Sequence, residues 1–489
     1  MSERTYDVVV VGAGPTGENA ADRARRAGLS VAIVEAERVG GECGYWACIP
    51  SKALLRPAQA LAEARAVAGA APAVTGTLDV GAVLARRDRF TGRGDDGGQA
   101  SWLSGLGIDL VRGRGRLAGE RRVGVTPSPT APGGTAADPA GEDVTLVARQ
   151  AVVLATGTRA SVPPVPGLAE SRPWTSREAT TSEAVPRRLV VLGGGVVACE
   201  MATAYAQFGA TVTVLQRGPR LLAGVPAFAS EAVAASLKGM GAEVLTGTEA
   251  DRVTRRDDGA VEVVAAGRTI EADEVLVAAG RTPNTDDLGL DTVGLEPGGW
   301  LDVDDHLAVT GVDGGWLYAA GDLNHRALVT HMGKYQGRVC GDVIAARASG
   351  SPAAEDLAWG RWGRLSATAD DAAVPQVVFT IPEVAAVGLN AEQARERGMD
   401  VTLASYDLAD VGGASLWADD YAGRAEAVVD TARRVLVGVT LVGPNVGEMI
   451  HAATVAVVGE VPLDRLWHAV PSFPTVSELY LRLLEELGL

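Results

Sequence analysis

A short apolar strand that runs straight into a glycine-rich turn leaves a chain few ways to continue. This sequence does it twice. Tyr6-Asp-Val-Val-Val-Val11 is a β-branched run of the kind buried on both faces of a parallel sheet. Gly12-Ala-Gly14-Pro-Thr-Gly17 follows, and the pattern then predicts a helix over Glu18–Ala27, closed by Gly28. A second strand over Ser30–Val34 delivers Glu35 at its end. Glycines alone say little. Glycines after a strand, opening a helix, with an acid ending the next strand specify a dinucleotide site. The turn lets backbone N–H groups reach a pyrophosphate, and Glu35 would accept hydrogen bonds from a ribose. Gly12, Gly14, Gly17 and Glu35 are thus the first cofactor-binding candidates.

In the second copy, Leu189-Val-Val-Leu-Gly193-Gly-Gly195-Val-Val-Ala198 opens a helix and Thr211–Leu215 is the next strand. The position equivalent to Glu35 is Gln216, followed by Arg217. Losing the acid removes repulsion of a 2′-phosphate, and Arg217 can pair with it, so this site is expected to prefer NADPH, with NADH possible. The alternative is that Arg217 is a solvated surface charge; Arg220 is a weaker second candidate. Two further strands also end where a cofactor can be approached closely: Gln150 to Thr156-Gly157, and Glu274 to Gly280-Arg281. Pro163, Pro164 and Pro166 mark a domain crossing and Gly280-Arg281 the return. Trp316-Leu-Tyr-Ala-Ala-Gly321-Asp322 is another strand ending in glycine. From Val374 onward a further domain is expected, with strands at Gln376–Thr380 and Arg434–Leu441 and helices at Ala391–Arg397 and Val446–Val458. The Pro/Gly-rich run from Thr126 to Pro139 cannot bury a core and is expected to be a flexible loop between two strands.

The chemistry is expected in Gly40-Gly41-Glu-Cys43-Gly-Tyr-Trp-Ala-Cys48-Ile-Pro-Ser-Lys52. Pro50 suits the first turn of a helix, which would place the thiols at a helix N-terminus, where partial positive charge favours thiolate. Close thiols of lowered pKa suit reversible disulfide chemistry; buried structural cysteines are the alternative. Lysine appears only at 52, 238 and 334 among 44 basic residues, so a lysine beside these thiols points to a task for a compact ammonium.

A net charge of −17 disfavours nucleic acid and anionic lipid as partners. Four cysteines in 489 residues are no secreted disulfide framework. Neither a signal peptide nor a membrane-spanning run is evident, so a cytoplasmic protein without a membrane partner is expected.

Taken in this order, the motifs resemble the flavoprotein pyridine nucleotide–disulfide oxidoreductases, the family of dihydrolipoamide dehydrogenase, glutathione reductase and mercuric reductase. The resemblance covers essentially the whole chain and implies an α/β fold. Two Rossmann-like domains, for FAD and NAD(P), would be joined by a C-terminal α+β dimerisation domain. The implied segments are an FAD domain over 1–160 and 279–358, an NAD(P) domain over 161–278 and a dimerisation domain over 370–489. Carried over, Gly12, Gly14, Gly17 and Glu35 hold the adenosine diphosphate half of FAD, with Gly41, Thr156 and Gly157 also on the cofactor side. Cys43 is the thiol that exchanges with the acceptor, and Cys48 lies against the flavin. Lys52 sits near flavin N5, paired with Glu200. Asp322 binds the ribityl and phosphate region, and His331 lies in the segment passing the pyrimidine side. Gly193, Gly195 and Arg217 serve the nicotinamide nucleotide, and Gly280-Arg281-Thr-Pro283-Asn284 crosses back. A homodimer is implied, each site completed by the partner.

One departure is plain. The family's disulfide reductases carry a His five positions before a Glu, as acid/base for the exchange thiol; here those positions are Phe473 and Glu478. His468, ten positions before Glu478, is a weaker substitute. No cysteine pair closes the chain, as one usually does in mercuric reductase, and Cys199 and Cys340 are expected to be buried small residues. Hydride passage from NAD(P)H through flavin to Cys43–Cys48, and on to a disulfide-type, small-molecule or other thiol-linked acceptor, is the leading expectation. A flavin-only dehydrogenase reducing a quinone, dye or second nicotinamide is the alternative, and a non-catalytic flavoprotein acting as a redox sensor or a structural subunit a third. Trp46, Tyr45 and Phe473 are expected to line the acceptor side and to suit a bulky or apolar molecule. No metal site is expected.

Overall fold

The computed structural model describes residues 2–132, 140–350 and 356–489, so residues 133–139 of the Thr126–Pro139 loop lie outside it. The flanks of that loop are two antiparallel strands, Arg122–Thr126 and Val144–Leu154, with a further bridge between Ser128 and Ala140.

The chain divides into two units. The first comprises Met1–Ile49, Arg89–Arg159 and Arg281–Asp371. Its sheet has a parallel centre in the order Asp109–Arg112, Val31–Glu35, Ser2–Val11, Val144–Leu154 and Leu317–Ala319. The antiparallel strands Arg122–Thr126 and Arg114–Leu117 extend it. Val8–Val11 and Val152–Leu154 are all but inaccessible, as the unbroken apolar runs require. One face is covered by two helices, Pro15–Arg26 and Thr330–Ser349. They approach closely because the second presents Gly333, Gly337 and Gly341 in a row. A Cβ at Gly337 would lie 2.3 Å from the Thr16 carbonyl oxygen, and one at Gly341 2.7 Å from that of Ala20.

The second unit comprises Pro50–Asp88, Ala160–Gly280 and Ala372–Leu489. It holds a parallel sheet in the order Glu243–Thr246, Thr211–Gln216, Arg188–Leu192, Glu274–Val277, with an antiparallel layer of Ala250–Arg255, Val261–Ala265 and Arg268–Ala272. A five-stranded antiparallel sheet runs Pro375–Val378, Glu383–Gly388, Val435–Gly443, Arg424–Asp430, Val401–Asp407. Leu54 and Leu55 share a core with Val191, Ala198, Val214, Val378 and Val442, which ties residues 50–88 and the C-terminal sheet to the second dinucleotide motif. Among the described residues, no helix is long and apolar enough to cross a membrane.

Element boundaries move by a few residues from expectation. The first helix starts at Pro15 rather than Glu18, because Gly14 in extended geometry is its N-cap and proline suits the first turn. Val446–Val458 is helical as expected.

Candidate active site

The two glycine turns are built alike. A Cβ on Gly12 would lie 2.4 Å from the Ala155 carbonyl oxygen, and one on Gly17 1.9 Å from that of Gly12, so backbone contact excludes any side chain there. A Cβ on Gly14 would meet nothing within 4 Å. The turn is therefore shut at both ends and open in the middle, at a helix N-terminus, where a pyrophosphate needs room. Gly193 repeats the tight position, 2.2 Å from the Ala278 oxygen, and Gly195 the open one. Ala198, fully buried, takes the third place.

Glu35 accepts the Ala13 and Glu37 N–H groups, both at 2.7 Å, which pins the carboxylate at the end of its strand with acceptor capacity left for a ribose. Burial lifts its pKa to about 7, those N–H bonds working the other way. A Cβ on Gly41 would come 3.0 Å from Gly14 Cα, so the thiol-bearing segment lies directly on the first turn. These features fit the adenosine diphosphate end of FAD.

Asp322 accepts the Thr158 hydroxyl at 2.7 Å, and Arg281 donates to Thr158 Oγ1 at 2.8 Å and to its carbonyl at 2.6 Å. Arg281 therefore braces the crossing. Thr156 and Asn284 exchange hydrogen bonds, Oγ1 to the Asn284 carbonyl at 3.1 Å and Nδ2 to the Thr156 carbonyl at 2.9 Å. Gly157 lies in the left-handed region and its carbonyl accepts the Asn284 N–H. Gln336, fully buried, accepts the Gly321 N–H at 2.6 Å and so holds the turn that presents Asp322.

Cys43 lies in a short helix, Gly41–Tyr45, while Cys48 opens the Cys48–Arg65 helix, so only Cys48 occupies the expected helix N-terminus. Both are free thiols. Cys48 Sγ lies 3.2 Å from Thr330 Oγ1. The expected lowering of thiol pKa fails at Cys43. Its hydrogen bond to Cys48 and its burial push it well above the ordinary range, with Thr330 and Lys334 pulling weakly the other way. Two sulfurs this close cannot readily both carry charge. Thr330 was invisible as a thiol partner in sequence; its only signal was its place beside His331.

Lys52, one turn beyond Cys48 on its helix, bonds Glu200 at 2.6 Å. Glu200 is 3% exposed and its other oxygen accepts the Phe379 N–H at 3.1 Å, while Lys52 Nζ lies 4.9 Å from the Phe379 ring centre. Cys199 and Cys340 are buried, as expected.

Two expectations are not met in detail. Tyr45 does not line an acceptor side: it is 3% exposed and its hydroxyl donates to the Val39 carbonyl, which holds the ring turned inward. Arg217 does not reach into a site; it stands 84% exposed, 3.4 Å from Glu249, while the Gln216 side chain packs at Gly194. Glu478 is buried with one carboxylate oxygen unpartnered and the other 3.6 Å from Arg482. Phe473, where the imidazole would stand, is 80% exposed, and His468 and His331 are exposed too.

Comparison with known proteins decides the family. Residues 6–345 match the family described as pyridine nucleotide-disulphide oxidoreductase, and residues 374–483 match its dimerisation domain. The chain belongs to the pyridine nucleotide–disulphide oxidoreductases. Dihydrolipoyl dehydrogenase of Geobacillus stearothermophilus is 31% identical over 486 residues, covering 98% of this chain and 95% of that one. Mercuric reductase of Staphylococcus aureus is 30% identical over 481 residues, covering 97% and 81%. In three dimensions the chain is similar to RclA of Escherichia coli, an HOCl-induced flavoprotein disulfide reductase solved as a Cu(II) complex, with TM-score 0.80, 24% identity and 99% of each chain covered. This oxidoreductase family is FAD-dependent and uses NAD(P)H.

Proposed function

We propose that this flavoenzyme passes two electrons from NADPH to the Cys43–Cys48 pair and from Cys43 to a thiol-reactive acceptor. FAD, when bound, supplies the step from hydride donor to disulfide. The chain's own residues do the rest. Gly12, Gly14, Gly17 and Glu35 hold the adenosine diphosphate end, and Asp322, fixed by Thr158 and Arg281, the ribityl end. Lys52, its ammonium held by Glu200, fixes positive charge on the helix that begins at Cys48. Thr330 can donate a hydrogen bond to the Cys48 sulfur as it gains charge. The observation that carries this reading is the pair itself: two adjacent free thiols, one at the head of an 18-residue helix and hydrogen-bonded to Thr330.

Preference for NADPH is supported by Gln216 in place of an acid and by the neighbouring Arg217, 84% exposed beside Glu249. Homodimerisation through residues 370–489 is supported by the matched dimerisation domain and by apolar side chains left in solvent, Leu416 at 73%, Val470 at 82% and Phe473 at 80%.

Anaerobic NADPH followed by alkylation and peptide mapping tests the central claim. Cys43 and Cys48 should become alkylated only after NADPH. Unchanged labelling would leave the alternative, a dehydrogenase that bypasses its thiols.

A further inference from the structure

Behind the turn that presents Asp322 lies a polar network that the glycine motifs do not contain. Asn324, Gln336 and Asp370 are 6%, 0% and 2% exposed, so bulk water reaches none of them and their polar atoms must be paired within the protein. Four residues close a circuit. The Arg326 guanidinium donates to Asp370 Oδ1, from Nε at 3.1 Å and from Nη2 at 2.9 Å. Gln336 Nε2 donates to Asp370 Oδ2 at 2.9 Å. Asn324 Nδ2 donates to Gln336 Oε1 at 2.9 Å, and Asn324 Oδ1 accepts the Arg326 backbone N–H at 3.1 Å. The Gly321 N–H joins the circuit at Gln336 Oε1, 2.6 Å away.

One group sets the direction of the bonds that reach Gly321. An ionised carboxylate only accepts, so Asp370 turns the Gln336 NH2 toward itself and leaves the Gln336 oxygen for Gly321 and Asn324. Burial lifts the Asp370 carboxyl to about 6, while Arg326 and Gln336 pull it down; Asp305 and Tyr335 are the other titratable groups near it. The carboxylate is therefore charged at neutral pH. The turn it serves has no slack. Gly321 has φ +83°, and a Cβ on it would lie 2.7 Å from Thr16 Oγ1, inside the first glycine turn.

We propose that Gln336 and Asp370 are positioning residues for the flavin, holding Asp322 in place through the Gly321 N–H. The assignment rests on Asp322 meeting the ribityl end of FAD. Its physical content is polarity rather than shape. In Asp370→Asn the new amide fits the same space but carries two donors. With its oxygen toward Arg326, its NH2 opposes the Gln336 NH2. Gln336 must then turn over, and its NH2 faces the Gly321 and Asn324 donors. With its oxygen toward Gln336, its NH2 faces the guanidinium. Either way a buried donor loses its acceptor. Moving the acid one step along the circuit repairs this. In Gln336→Glu with Asp370→Asn, the Glu carboxylate accepts from Gly321, Asn324 and the Asn NH2, and the Asn oxygen accepts from Arg326.

The test titrates flavin-free wild type, both single variants and the double variant with FAD at pH 8, by fluorescence, and unfolds each in urea. Asp370→Asn should weaken FAD about 10-fold or more, the effect of one unsatisfied buried donor. Gln336→Glu alone sets two carboxylates face to face and should also lose affinity. The double variant should bind FAD more tightly than either single one and recover most of the loss, a coupling that simple loss of packing does not produce. A double variant that binds FAD no better than Asp370→Asn, or that fails to fold, would overturn the assignment, as would an Asp370→Asn protein with wild-type affinity. Asp322→Ala separates the two levels. If it binds FAD as wild type does, the ribityl role of Asp322 fails and the circuit has nothing to position. If Asp322→Ala loses FAD and Asp370→Asn does not, only the circuit is wrong.

Discussion

Gly14 and Gly17 stand three positions apart in one turn, yet their replacement should fail in different ways. At Gly17 an alanine Cβ would sit 1.9 Å from the Gly12 carbonyl oxygen. Relief requires the helix to lift from the strand by more than an ångström, and overpacking of that kind costs about 1–3 kcal/mol, against at most about 1 kcal/mol regained in helix propensity. At Gly14 the backbone is ordinary extended chain, φ −74° and ψ 177°, and the Cβ meets no protein atom. Gly14→Ala should therefore change the stability of the flavin-free protein by no more than about 1 kcal/mol, the N-cap difference between glycine and alanine. Its damage falls on the ligand, because a Cβ at the open centre of the turn keeps a charged phosphate from the N–H groups. Losing one such charge-assisted bond, worth about 1.5–3 kcal/mol, weakens FAD by about 10- to 150-fold. Urea unfolding of the deflavinated protein, paired with fluorescence titration of FAD, reads the two effects separately. If Gly14→Ala destabilises the flavin-free chain as much as Gly17→Ala, or binds FAD as wild type does, the picture of a turn closed at its ends and open at its centre is wrong.

Three more outcomes follow from the geometry. Glu200→Ala leaves the Lys52 ammonium and the Phe379 N–H without their buried acceptor; with Lys52 a third exposed, the cost should be about 2–3 kcal/mol in urea unfolding, and Glu200→Gln, which keeps the N–H bond, should lose less. Arg217→Ala should raise KM for NADPH about tenfold while leaving that for NADH alone, as one charge-assisted contact worth about 1.4 kcal/mol predicts; equal effects on both would show that Arg217 is only a surface charge. The Arg149 guanidinium and the Ser30 N–H and hydroxyl hold Asp7 down at about 2, below the usual carboxylate range. Because its folded value is depressed, Asp7 stabilises the fold above about pH 4, and that contribution is lost as pH falls through 2. Asp7→Asn should flatten the stability profile over that acid window, and a profile as steep as wild type would count against the interaction.

What could be read from the sequence was set by neighbours along the chain. A β-branched run, a glycine that must take positive φ, an open glycine at a helix cap and a proline in the first turn each act within a few residues. Both dinucleotide turns, the strands leading into them and a helix beginning near Pro50 were therefore visible before any coordinates, whereas the missing imidazole at Phe473 was visible only through the family resemblance. The pairing of Lys52 with Glu200, 148 residues away, was expected only through the family resemblance; the structure supplies its 2.6 Å geometry. Tertiary structure alone decided the rest. Thr330 meets Cys48 across 282 residues, and Gly333, Gly337 and Gly341 let the Thr330 helix close to backbone contact with the Pro15–Arg26 helix. Tyr45 turned inward as a plug, Arg217 stayed in solvent, and Cys43 became harder to ionise than its motif suggested. Glu18, an unremarkable helix residue in sequence, gained a carboxyl near neutrality only when burial stripped its water beside Lys334. Ionisation and burial depend on every charge and apolar atom within about 10 Å, whatever its place in the chain, and no local pattern encodes that sum.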